Sequence, residues 1–559
     1  MSRYTLYAFL FFLMMAVPQC IRAQSPAKYW IRFKDKAGTP YSVQHPEEFL
    51  SPRAIELRQK HGIAIDETDL PVNPDYVRQV LATDSANRLC VQSRWLNAVT
   101  VYVENPQAVM AISELPFVVE MERTLRMSET EADTLPAVRY SSKAKPACHY
   151  YADVRLHKDF DYGKSNEQIR MNNVHWLHRM GFRGEDMRMM VLDGGFRNAD
   201  TLGFFKRMRK DHRLLGARNM VMSSDNMFRT ATHGTSVLSC IASYKPGVLV
   251  GTAPMAQFYL CQTEDGRTEN KIEEDNWVAG IELADSLGCQ ILNSSLGYTV
   301  FDDSTQMRSY EDLDGTVSRA SMAASIAVSK GMVVCNSAGN EGSKEWKHIG
   351  APADANGILT VGAVDFNGNH AFFSSVGPAA DGRVKPDVCA VGFGTWTANA
   401  GGRVNKSSGT SFSSPLMAGM VTCLWQAFPD KSNVEVMEAV RKSGSRHTMP
   451  DEKMGYGIPD FLKAYNMLRQ PAPNYNIVFD SFVAKDNLIT LHVAAGTEPY
   501  VALPKSVARK VHAPRIKSEN GLYHITVELP PLLKSKPYRV MDLAVQIGNE
   551  MFFYTIAQE

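Results

Sequence analysis

Gly409-Thr410-Ser411-Phe412-Ser413-Ser414-Pro415 is the stretch from which the rest of this chain is best read. A serine follows a Gly-Thr pair and precedes small side chains that read as the opening of a helix. There it can present its hydroxyl to a cleft, while helix-start N–H groups point at any negative charge that builds up beside it. Serine is a poor nucleophile until a base takes its proton, so a base and a group to orient it are needed. Two upstream segments supply candidates. Val191-Leu192-Asp193-Gly194-Gly195 reads as a buried strand ending in an acid, and His233-Gly234-Thr235 precedes an apolar helical stretch of Val237, Leu238 and Ile241. The chain order is Asp193, His233, Ser411.

That order differs from those of chymotrypsin and the α/β-hydrolases and is that of subtilisin-type triads. Asp-Gly-Gly at 193–195, His-Gly-Thr at 233–235, Ser-Leu-Gly at 295–297, Ala-Gly-Asn at 338–340 and Gly-Thr-Ser at 409–411 resemble five successive signatures of the subtilases. Taken singly, each has an ordinary reading: a helix-capping serine, a surface histidine, an acid capping a turn. It is the ordered set, running from about Gly163 to Leu468, that carries the resemblance. The resemblance implies a nucleophile (Ser411), a general base (His233), an orienting acid (Asp193) and an oxyanion-binding side chain (Asn340). It also implies that Ser295, Leu296 and Gly297 pair with an extended substrate, and that Gly350, in Gly350-Ala351-Pro352, floors the first specificity pocket.

Length and composition bound the remainder. At 559 residues the chain is long enough for about three or four domains. A net charge of +1 gives no basic excess to drive nucleic-acid or acidic-membrane binding. Arg3, the apolar run Leu6 to Val17 and Ile21-Arg22-Ala23 have the layout of a secretory signal peptide, here 1–23. Cys20 invites a lipoprotein reading, but Pro18-Gln19 is not the small-residue pair that requires. Export to the medium, periplasm or cell surface follows, with no later stretch as long as a membrane helix. Eight cysteines remain beyond Cys20. Their scatter over apolar strands and helices points to buried free thiols rather than a disulfide framework. No Cys-x-x-Cys or His-Glu-x-x-His supplies ligands for a catalytic metal. Structural calcium stays open, because Asp302, Asp303, Asp312 and Asp314 crowd one loop, but no site is assigned.

Between signal and core, residues 24–127 read as a small α+β unit. Its strands are Tyr29–Phe33, Ala98–Val103 and Phe117–Met121, with a helix from Pro106 to Ile112. The arrangement resembles a subtilase propeptide, which implies an inhibitor of the protein's own catalytic domain. Residues 128–162 are polar, contain Pro136 and Pro146, and read as a linker open to cleavage, with Tyr140, Tyr150 and Tyr151 as fitting points. Residues 163–470 alternate strands (Met187–Leu192, Gln257–Cys261, Gln290–Asn293, Met332–Cys335, Ile358–Val364) with helices that include Asn276–Leu287 and Val317–Lys330. This predicts a parallel sheet covered by helices on both faces, with functional residues at the strands' carboxyl ends. After Pro471-Ala472-Pro473, residues 471–559 carry five alternating runs (Ile477–Val483, Leu488–Val493, Tyr523–Leu529, Leu543–Ile547, Met551–Ile556) and a Gly548-Asn549 turn signal. They read as a small all-β domain of unassigned role.

The expected protein is therefore a secreted, self-processed serine endopeptidase that acts on protein or peptide substrates and needs no cofactor for its chemistry. Two rivals are a catalytically silent fold used for binding, and an esterase. The esterase lacks its Gly-x-Ser-x-Gly around Ser411. A fluorophosphonate probe would label either hydrolase but not a binding module, and peptide against ester substrates would separate the two enzymes.

Overall fold

The computed structural model describes residues 26–126, 160–221 and 226–469, together with the backbone of six strands beyond residue 487. The expected signal segment, most of the 128–162 linker with its three tyrosines, Cys20, Cys148, the run Ile477–Val483 and the Gly548-Asn549 turn lie outside the described residues.

The centre of the molecule is a seven-stranded sheet, in the order Val388–Val391, Leu359–Val364, Val333–Ser337, Ile291–Ser294, Arg188–Asp193, Gln257–Gln262 and Leu214–Asn219. Every pairing in it is parallel. Period-two alternation assigns the faces. Met189, Val191, Ile291, Val333 and Cys335 pack with helices His233–Ala242 and Thr410–Ala427 on one side. Met190, Leu192, Leu292 and Val334 pack with helices Ile272–Ser286 and Arg319–Ser329 on the other. Near-continuous apolar strands are what a sheet buried on both faces requires. Asp193 closes its strand, Ser295 follows one that ends at Ser294, and Asn340 lies three residues beyond Ser337. The described cysteines are free, and all but half-buried Cys90 are buried. Burial pushes the Cys261 and Cys289 thiols up to about 12.

Two differences from the sequence reading concern this sheet's surroundings. The helix expected from Asn276 begins a turn earlier, at Ile272, with Glu273, Glu274 and Asp275 in its first turn. Acids there favour the helix dipole, but their lack of apolar periodicity hid the turn. The N-terminal unit is also richer than expected. Its four strands run in the order Arg88–Ser93, Ala98–Val103, Ala27–Phe33 and Val118–Arg126, all antiparallel. It also carries two helices beyond those expected, Pro52–Lys60 and Pro74–Ala82. Each starts at a proline preceded by a capping side chain, Ser51 or Asn73, which accepts a bond from the first turn.

The N-terminal unit sits on the helix Ile272–Ser286, and the seam is built from buried charge. Glu282 accepts from Ser93 Oγ at 2.6 Å and from the backbone N–H groups of Arg94 and Trp95 at 2.8 and 3.1 Å. Asp285 takes the Arg58 guanidinium at 2.8 Å and also pairs with Arg94. Asp275 accepts from Thr100 Oγ1 at 2.9 Å and pairs with Arg319. Lys330 answers from the catalytic side, bonding Asp69 at 2.8 Å. Burial raises the pKa values of Glu282 and Asp275.

The C-terminal segment forms two three-stranded antiparallel sheets. Strands Tyr500–Ala502 and Arg515–Glu519 add to those expected. Among the described residues, no helix is long and apolar enough to cross a membrane.

Candidate active site

The acid of the candidate triad is fully buried, whereas the histidine side chain keeps 41% of its surface open. His233 Nδ1 stands 2.9 and 3.0 Å from the two carboxylate oxygens of Asp193. Gly194 N–H donates to Asp193 Oδ1 at 2.8 Å, which fixes the carboxylate's plane. An imidazole facing a buried carboxylate must carry its proton on Nδ1, so Nε2 holds the lone pair that a base needs. The Asp193 charge holds the imidazole above its ordinary pKa, while desolvation pulls the other way. His233 is itself the first residue of the helix that the sequence placed after it. The next residue must be glycine, since a Cβ on Gly234 would stand 2.5 Å from Gly195 O and 2.8 Å from Asp193 Cβ. The Gly in His-Gly-Thr is thus what lets the helix reach the acid.

Ser411 is the second residue of the helix Thr410–Ala427 and is 8% exposed. Its N–H is one of the first-turn donors with no intrahelical partner. Its carbonyl is freed for a different reason. The helix would bond Ser411 O to the N–H of residue 415, and Pro415 has none. Ser295 Oγ donates to that carbonyl instead, at 2.9 Å, while Ser411 Oγ donates to Ser295 O at 3.3 Å. The Ser-Leu-Gly segment is thereby clamped to the candidate nucleophile. The hydrogen bonds of His233 and Ser411 run to Asp193 and Ser295 rather than to each other.

Asn340 is exposed, and its side chain is held by one end. Oδ1 accepts from Thr410 N at 2.9 Å and from Thr410 Oγ1 at 3.1 Å. A backbone N–H can only donate, so this end of the amide is the oxygen, and the Nδ2 donors are left for another acceptor. Thr410 Oγ1 in turn accepts from Gly339 N at 3.2 Å. Thr410 is not among the residues expected from sequence, because its role rests on a contact with a residue 70 positions earlier in the chain.

Of the expected substrate edge, Leu296 is half-buried and Gly297 exposed. Asn336 Nδ2 holds Leu296 O at 3.2 Å. Tyr298 pairs with Ala351 through bonds of 2.7 and 3.3 Å in both directions, which sets Gly350 beside the edge. A Cβ on Gly350 would stand 2.7 Å from the Thr299 methyl. Next to Asn340, Glu341 pairs with Lys344 at 3.0 Å, and Lys347 is exposed. The acids singled out in the 302–314 loop mostly serve local turns. Asp303, Asp312 and Asp314 accept from Thr305, Ser309 and Thr316.

The subtilase family model matches residues 190–457, and a model of the peptidase S8 propeptide domain of Bacteroidota matches residues 28–136. Subtilisin NAT of Bacillus subtilis subsp. natto is 28% identical over 273 residues, covering 48% of this chain and 63% of that protein. The thermostable alkaline protease of Halalkalibacterium halodurans is 26% identical over 278 residues, 50% of this chain and 67% of that one. The membrane-bound transcription factor site-1 protease of Mus musculus is 27% identical over 314 residues, 54% of this chain and 27% of that protein. The chain thus spans less than two thirds of the length of the subtilisin it matches. With the propeptide match ahead of the peptidase match, the chain belongs to the subtilase family.

Proposed function

We propose that this chain is the precursor of an exported serine endopeptidase that removes its own N-terminal unit. The observation that carries the reading is the buried Asp193 oriented on His233 beside a helix-start serine, with Asn340 anchored through its oxygen alone. His233 Nε2 takes the Ser411 proton as Oγ attacks the scissile carbonyl, and later returns it to the leaving amine. Asp193 stabilises the imidazolium formed between the two transfers. The tetrahedral oxyanion is received by the Asn340 Nδ2 donors and the Ser411 N–H. The peptide lies along Ser295, Leu296 and Gly297. No step requires a cofactor. Labelling of Ser411 by a fluorophosphonate, together with cleavage of peptide amide bonds, is the expected result. A chain that resists the probe would overturn the reading.

Export through residues 1–23, and cleavage between the N-terminal unit and the peptidase, belong to the same proposal. N-terminal sequencing of the released protein tests both. Residues 24–127, made separately, are expected to inhibit the mature enzyme. Glu282→Ala in the catalytic part should weaken that inhibition by about tenfold or more, because Arg94, Trp95 and Ser93 lose a buried charged partner. Equal inhibition of both enzymes would show that the seam contributes nothing to binding.

Specificity follows from Gly350 if it floors the first pocket. Thr299 turns a methyl toward it, and Glu341 is drawn to Lys344, so the floor carries no charge of its own. Burying a large apolar side chain gains about 1.5–3 kcal/mol. Cleavage after Phe, Tyr, Leu or Met should therefore exceed cleavage after Ala by about tenfold or more. A peptide library cut preferentially after Arg or Lys would refute the placement.

A further inference from the structure

Beside the candidate triad lies a group of acids for which peptide hydrolysis has no use. Glu264 follows the strand Gln257–Gln262, and its Cβ is 3.6 Å from where a Cβ on Gly194 would stand. Its Oε1 accepts from Tyr298 OH at 2.7 Å and from Thr263 Oγ1 at 2.8 Å. Tyr298 is the residue directly after the Ser295–Gly297 edge. Glu269 and Glu273 complete the group, with one carboxylate oxygen from each of the three lying within 4.8 Å of the others.

Acidic clusters are common on solvated loops, but Glu273 is not solvated. It is 1% exposed. Its Oε1 accepts from Asp265 N at 2.9 Å, and its Oε2 is buried without a hydrogen-bond partner. A carboxyl oxygen withdrawn from water in this way calls for a proton or a positive neighbour. The adjacent acids have one each: Glu274 pairs with Arg308, Asp275 with Arg319 and Asp265 with Arg267. Among the described residues, no ion pair reaches Glu264, Glu269 or Glu273.

The donor set selects the cation. Three protein carboxylates gathered on one ion suit calcium, since magnesium usually keeps several waters and takes only one or two carboxylates. All three donors are hard oxygens, which disfavours zinc. We propose that Glu264, Glu269 and Glu273 form a calcium-binding site that, through Tyr298, steadies the segment expected to hold substrate. Glu264 and Glu269 are half-buried, so water can reach the ion and complete its shell. Asp302 fixes the backbone of Glu269, accepting from its N–H at 2.9 Å and donating to its carbonyl at 2.8 Å.

The test uses the whole Ser411→Ala precursor, stripped with a chelator, so it does not depend on proteolysis or on the catalytic assignment. Terbium(III), excited through Tyr298, should give saturable luminescence that calcium displaces, and calcium should raise the melting temperature by several degrees. Glu269→Gln should weaken both responses by about tenfold or more, with circular dichroism unchanged, because that carboxylate makes no hydrogen bond to a described residue. Asp312→Asn, which alters only a turn cap, should keep them. Identical melting with and without calcium, and no sensitised emission, would overturn the proposal. So would undiminished affinity in both Glu269→Gln and Glu273→Gln. A third overturning result would be a mature enzyme that ignores calcium but loses a preference for Arg- or Lys-containing peptides in Glu269→Gln, since the acids would then receive a substrate side chain.

Discussion

Ser411→Ala is expected to leave the fold intact and lower peptide turnover by about 10⁶-fold. The two halves of that expectation have separate causes. The hydroxyl contributes one long bond, 3.3 Å to Ser295 O, whereas the clamp on the substrate edge uses the Ser411 carbonyl, which alanine retains. Stability should therefore hardly change. Without Oγ there is no nucleophile for His233 to activate, and what survives is the contribution of the oxyanion donors and of binding. The variant precursor should also accumulate uncut where no other protease is present. Purified Ser411→Ala that still cleaves peptides, or that matures normally alone, would remove the catalytic assignment.

Asn340→Ala should lower turnover by about a hundredfold to a thousandfold with little change in KM, because the Nδ2 donors meet a full negative charge only in the transition state. Alanine also removes the acceptor for Thr410 N and Oγ1. Asn340→Asp separates the two effects, since it keeps an acceptor for Thr410 but replaces the donors with a second oxygen. It should be at least as inactive as Asn340→Ala while melting closer to the parent. If Asn340→Asp were active, the side chain would be holding Thr410 and nothing more.

Much of the site could be read along the chain because its parts are short and local. A strand of alternating apolar residues ending in Asp193, a Gly that admits His233, and a Gly-Thr-Ser opening a helix are patterns of a few residues whose periodicity already states which face is buried. Other features are equally local yet were not legible beforehand. Pro415 reads simply as a proline in a helix until the freed Ser411 carbonyl is seen to meet Ser295, 116 residues away in the chain. Thr410 gains its role only when the turn after the strand Val333–Ser337 brings Asn340 onto it.

The helix Ile272–Ser286 marks the boundary most clearly. In sequence, Glu273, Glu274, Asp275, Glu282 and Asp285 look like the solvated face of a surface helix, and all five are buried. Their partners come from far away: Ser93 and Arg94 lie 189 and 188 residues before Glu282, and Arg58 lies 227 before Asp285. An apolar side chain is driven inward wherever it can be covered, so its fate shows in the local pattern. A carboxylate is buried only where a specific donor or cation arrives to meet it. The sequence by itself therefore determined the family, the strand–helix alternation and the ordered Asp, His, Asn and Ser. Only the tertiary structure decided which acids hold the N-terminal unit, which gather beside Tyr298, and which merely cap turns.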